Sequence, residues 1–158
     1  MDSILILERT YDESYIKTIV SEMWDCVCED GHTLEEWLPE PKANCWIRMG
    51  DCGLYCLHAT NKTTLEIHAF ILPEFRKEHS LQSGKEILRY ICDNTTYTKV
   101  IAQVPFLYPN VKDFCLKNGF VVEGINRLSH QKDGVIVDQW LLGITRDEIE
   151  EGLKTWDL

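Results

Sequence analysis

Glu66 and His68 carry the most suggestive chemistry in the chain. They fall in Thr64-Leu65-Glu66-Ile67-His68-Ala69-Phe70-Ile71-Leu72, a run whose composition predicts a strand. Side chains two apart on a strand share a face, so a carboxylate and an imidazole stand together there. Such a pair can exchange a proton near neutral pH, or it can simply form a polar strand face. The 7 cysteines are an odd number with no framework spacing, which predicts reduced thiols used as small core filler. Cys26/Cys28 and Cys52/Cys56 do not make the paired C-x-x-C set of a structural zinc site. A zinc reading of His58, His68 and His79 with Cys52 or Cys56 has no recognised spacing, so no metal is expected. Cys115 or Cys92 as a nucleophile lacks any flanking signature.

The net charge of -10 argues against a nucleic-acid surface, which needs clustered cations; only Arg76-Lys77, with Lys85 and Arg89 beyond, hints at a basic patch. No apolar run approaches the roughly 20 residues that cross a bilayer, and the first residues lack the basic region of a signal peptide. A cytoplasmic protein is expected.

These residues need a scaffold, and the patterning supplies one. A first strand is expected over 4–7. Asp12 then reads as an N-cap for a helix in which Tyr15, Ile16, Ile19, Val20, Met23 and Trp24 recur at helical spacing. Thr33-Leu34-Glu35-Glu36 has the form of a capping box and predicts a short second helix ended by Pro39 and Pro41. Strands follow at 45–49, 54–58 and 64–72, then a polar loop at 74–80 and a helix over 81–92 with Leu81, Ile87, Leu88 and Ile91 inward. A buried strand at 99–104 would lie parallel to its predecessor across that helix. A short helix at 111–117 stops on Asn118-Gly119, and strands at 120–124 and 135–142 meet around Lys132-Asp133-Gly134. Trp24, Trp37 and Trp46 fall on core periods. The whole is expected to be one α/β (α+β) domain, 1–158, with a mixed sheet and an acidic helical tail at 145–158. Trp156 in that tail is available to dock on its own domain or on a partner.

Two stretches carry a resemblance. Asn118-Gly119-Phe120-Val121-Val122-Glu123-Gly124, followed by Arg127, Asp133-Gly134 and Val137-Asp138, resembles the C-terminal block of the GNAT superfamily of acyl-CoA N-acyltransferases. Glu66-Ile67-His68-Ala69-Phe70-Ile71-Leu72-Pro73-Glu74-Phe75-Arg76 resembles that family's fourth strand and the loop that follows it. The chain also resembles a phage-encoded branch of the family, whose members include acetyltransferases and head-assembly or virion proteins, which would place it in the host cytoplasm.

The resemblance implies direct transfer of an acetyl group from acetyl-CoA to a small-molecule or protein amine. It implies Glu66 as the base with His68 second, and Tyr108 as a proton donor. A backbone N–H near Ile71 or Leu72 would serve as oxyanion donor. Arg76 and Lys77 would hold the cofactor's pyrophosphate, with Ser83 and Gly84 as a displaced anion nest. The sequence departs from the family at His79 and Leu81, where its phosphate loop has glycines, and at Cys115, where many members have tyrosine. A second reading is therefore carried along: a GNAT-fold protein without catalysis, working as a phage assembly or protein-interaction module. The oligomeric state is left open, a homodimer included.

Overall fold

The computed structural model describes residues 6–156, excepting the side chain of Glu78. β1 (Leu7–Arg9) leads to α1 (Glu13–Glu22) and the single turn of α2 (Trp24–Val27). The meander β2 (Cys45–Met49), β3 (Gly53–Ala59) and β4 (Thr64–Ile71) comes next. α3 (Arg76–Asn94), β5 (Lys99–Pro105) and α4 (Pro109–Lys117) form the crossover region, and β6 (Val121–Lys132), β7 (Val135–Thr145) and α5 (Arg146–Trp156) complete the domain. The strands make one sheet in the order β1-β2-β3-β4-β5-β7-β6. Every pairing is antiparallel except β4 with β5, as the strand–helix–strand pattern requires.

Alternation along β3 divides the core in two. Tyr55 and Leu57 point with Ile71, Val100, Val104, Leu142 and Ile144 toward α3, where Ile87, Leu88 and Ile91 meet them. Leu54 and Cys56 point the other way, with Trp46 and Leu72, toward Ile16, Ile19, Val20 and Met23 of α1. Asp12 caps α1 by accepting the Tyr15 N–H at 3.1 Å. Trp24, Trp37 and Trp46 form an edge-to-face ladder on that side, with centroids 6.4 and 6.0 Å apart.

Several expectations are corrected. The first strand is Leu7–Arg9, and residues 4 and 5 of the expected segment 4–7 lie outside the described residues. The capping-box segment makes only a hydrogen-bonded turn from Thr33 to Trp37, because Pro39 and Pro41 leave no room for a second. The loop at 74–80 does not exist: a 3-10 turn, Pro73–Phe75, runs directly into α3. Pro73 is pre-set for a helix start, and no glycine interrupts the residues after it. Leu81, expected inward, is 41% exposed. Trp156 docks on its own domain, against the α3 core, with the Lys85 ammonium 5.2 Å from its ring.

Arg146 fastens α5 to the end of α3. Its guanidinium donates to the carbonyls of Cys92 (2.8 Å), Tyr97 (3.2 Å) and Thr95. The β6–β7 turn is the two-residue hairpin Asp133-Gly134, both at positive φ (52° and 79°). β6 is an edge strand, and its pairing with β7 slips between Val122 and Gly124 and again between Asn126 and His130. Within the second slip, Leu128 adopts φ 49° and gives its N–H to the Asp138 carboxylate at 2.7 Å.

Candidate active site in the cleft between two parting strands

β4 and β5 are paired only from Thr64↔Lys99 to Glu66↔Ile101. Beyond Glu66, β4 stays with β3 as far as Gly53↔Ile71, while β5 stays with β7 as far as Pro105↔Gln139. The strands therefore part in the middle of the sheet and open a cleft of about 440 Å³. On the α3 side its wall is apolar, with Ile87, Leu88, Val104, Phe114 and Phe120. On the α1 side it is polar, with Glu66, His68, Glu29, His130 and Gln139.

Register decides which backbone groups face the cleft. Leu72 donates to the Cys52 carbonyl (3.0 Å) and Thr60 to that of Thr64 (3.0 Å), so the even residues of β4 are the ones bonded to β3. The N–H groups of Ala69 and Ile71 then aim at the edge that β5 has left. Of the two expected oxyanion donors, Leu72 has its N–H committed to Cys52, while Ile71 directs its own toward the cleft.

Glu66 is 13% exposed, with His58 Nε2 3.5 Å from Oε2 and His68 Nε2 3.7 Å from Oε1. The two imidazoles meet edge to edge in nearly parallel planes, 8° apart, with centroids 5.3 Å and Nε2 atoms 3.2 Å apart. His68 keeps 43% of its side-chain surface, yet the cleft walls strip much of its hydration. That burial lowers its pKa; the Glu66 charge opposes the shift and His58 adds to it. Tyr108 lines the same cleft, and burial raises its phenol above the ordinary value against the nearby Lys132 ammonium. Cys115, where the resemblance leads one to expect a tyrosine, is buried in the cleft wall, where its thiol is pushed up to about 11 by burial.

The residues expected to hold a cofactor sit around the start of α3. Arg76 folds back so that its Nε donates to the Ile71 carbonyl at 3.0 Å, and Lys77 is exposed. Ser83 is fully buried, its hydroxyl shared between Tyr55 Oη (2.8 Å) and the Ser80 carbonyl (2.7 Å). Gly84 lines the cleft but lies mid-helix under the Asn118 side chain, which occupies the space a Cβ would need.

Sequence reasoning weighed His58 only in a zinc reading and Asn118 only as a helix stop, and it missed Glu29 and His130 altogether. A turn centred on Asn61-Lys62 puts His58 opposite Glu66, so His58 was within reach of register arithmetic. The other three are brought in by tertiary contacts alone. The end of α2 is clamped across the cleft to the β6–β7 hairpin: the Asp30 carboxylate accepts the Asp133 and Gly134 N–H groups, each at 2.9 Å, and Lys132 donates to the Cys28 carbonyl at 3.1 Å. Those bonds hold Asp30's pKa below the ordinary carboxylate value. The clamp brings Glu29 to 4.0 Å from His130 Nδ1, while Nε2 of that ring is buried without a partner among the described residues.

The arrangement has the fold of solved N-acetyltransferases. A spermidine N-acetyltransferase chimera of Vibrio cholerae SpeG with hSSAT superposes with a TM-score of 0.78 at 18% identity, covering 93% of this chain and 98% of that one. The Vibrio cholerae spermidine N-acetyltransferase in complex with CoA and spermine gives a TM-score of 0.74 at 17% identity, covering 94% and 99%. No curated protein matches the sequence. At these identities the likeness establishes the GNAT acetyltransferase fold, a mixed sheet flanked by helices. A family model does match, over residues 48–155, and the chain belongs to that family, described as a protein of unknown function (DUF2824).

Proposed function

We propose that the cleft binds acetyl-CoA and that the protein transfers its acetyl group directly to an amine. The observation that carries this reading is the parting of β4 from β5 immediately after Glu66. It opens an apolar wall, two cleft-facing N–H groups and a carboxylate–imidazole pair in one space, in a fold shared with an acetyltransferase solved with CoA. Acetyl-CoA would bring an activated thioester. The wall of Ile87, Leu88, Val104 and Phe114 suits its apolar arm, and the start of α3 with Lys77 and the outer nitrogens of Arg76 suits its phosphates.

Glu66, with His68 beside it, accepts the proton of the attacking amine. The Ile71 or Ala69 N–H stabilises the developing oxyanion, and Tyr108, kept protonated by burial, returns a proton to the departing thiolate. Glu29 and Glu66 at the polar wall, with a net charge of -10, favour a cationic amine; the neighbours' titles name spermidine and spermine.

One observation favours a second reading, binding without catalysis. α3 opens as helix through His79 and Leu81, with no glycine loop to let a pyrophosphate reach the backbone. A protein-interaction or phage-assembly role would follow. Thermal shift separates the two. Acetyl-CoA at 100 times its Kd adds about 2.7 kcal/mol, which for a chain of this size raises Tm by roughly 5–10 °C. No shift at millimolar acetyl-CoA refutes the transferase.

A further inference from the structure

We propose that His58, Glu66 and His68 form a binding site for a divalent transition-metal ion, with zinc its best-suited occupant. The ladder builds it. His58 stands opposite Glu66 in the β3–β4 register and His68 follows two residues on, so all three side chains rise from one face of a rigid two-strand platform. The two Nε2 atoms lie 3.2 Å apart, and each faces one oxygen of the same carboxylate, His58 at 3.5 Å from Glu66 Oε2 and His68 at 3.7 Å from Oε1. One donor atom of each residue lies within 4.8 Å of the others.

A zinc ion holds nitrogen and oxygen ligands at about 2.0–2.2 Å in a tetrahedron, which sets neighbouring ligand atoms about 3.3–3.6 Å apart. The nitrogen–nitrogen distance and the two nitrogen–oxygen distances are already close to those dimensions. Two imidazoles with one carboxylate suit zinc, cobalt or nickel rather than magnesium or calcium, which prefer all-oxygen sites. Partial exposure of His58 (36%) and His68 (43%) leaves a fourth position open to water and a route for entry. The competing account of the short nitrogen–nitrogen distance is a proton shared between two imidazoles, and the two accounts differ in what they bind.

The site shares Glu66 and His68 with the proposed transfer chemistry, where a bound metal would compete for the Glu66 carboxylate, so it is tested by metal uptake and not by turnover. Zinc is titrated into metal-stripped full-length protein against a chromophoric chelator, and cobalt is added separately to read its visible absorption. The wild type should take up one equivalent tightly and show the intense bands of four-coordinate cobalt. His58→Ala should weaken zinc by more than roughly 100-fold, beyond the loss of an outer-shell partner, and abolish the bands. His32→Ala, at an exposed histidine, should change neither. Circular dichroism checks that His58→Ala folds, and Glu66→Gln supplies a second ligand deletion if it does not.

Absence of stoichiometric binding, or equal affinity in wild type and ligand variants, overturns the proposal and leaves the shared proton. Zinc uptake without an acetyl-CoA shift would keep the metal site and discard the transferase. The reverse result would do the opposite.

Discussion

Replacing Gly84 by alanine sets two effects of opposite sign against each other. At an exposed helical position the change would stabilise by about 1 kcal/mol, because glycine is the poorest helix former after proline. At Gly84 the new methyl would stand 2.5 Å from Asn118 Nδ2 and 2.6 Å from its Oδ1. Asn118 cannot simply turn away. It is 2% exposed, closes the C-terminus of α4 and donates to the Phe114 carbonyl at 3.0 Å. Overpacking a tight contact costs about 1–3 kcal/mol, and the lost hydrogen bond about 1 more. The clash wins, with a net loss of about 1–3 kcal/mol and a fall in Tm of roughly 2–12 °C. Urea and thermal melts measure it. In an Asn118→Ala background the clash is gone, so the same Gly84→Ala change should become stabilising. A single variant as stable as wild type, or a cycle without a sign change, refutes the claim that Asn118 and Gly84 fix the spacing of α3 and α4.

Three further outcomes are expected. Glu66→Gln should cut turnover by about 10²–10⁴-fold while leaving the acetyl-CoA thermal shift intact; unchanged turnover removes Glu66 as the base. Arg146→Ala should cost about 2–3 kcal/mol, since a charged donor to three carbonyls is lost; Arg146→Lys should recover only part, lacking the planar fork, and denaturant midpoints read both. His68 has a folded pKa below its unfolded value, so the unfolded chain takes up the proton first. Stability should therefore fall as pH drops through and below about 6.5. His68→Asn should flatten that part of the stability–pH profile, and an unaltered slope would show that His68 titrates as in the unfolded chain.

The parts of the molecule legible in the sequence are those where local pattern and tertiary demand agree. Asp12 caps α1, Asp133-Gly134 turns the last hairpin, and the apolar run after α3 becomes a strand parallel to β4. The N-terminal end of α3 reads as a loop because its composition is polar, while Pro73 and the lack of glycine let the helix begin at Arg76, five residues before position 81, straight after the Pro73–Phe75 turn. Within the candidate site, Glu66 and His68 could be paired from strand alternation, and Tyr108 does line the same cleft. Glu29 and His130 lie about 100 residues apart in sequence and meet only through the Asp30 clamp, for which no local pattern exists.

The irregularities of β6 govern how the protein behaves beside copies of itself. An outer strand that carries Val121, Val122 and Ile125 in the open could recruit another chain into a continuous sheet. Its two slips break the ladder into runs of at most three paired residues, 121–122, 124–126 and 130–132, and Asp138 takes up the Leu128 N–H in between. A newcomer would find no long straight row of amides to copy. The apolar residues can stay exposed at this edge because its bends keep it from polymerising.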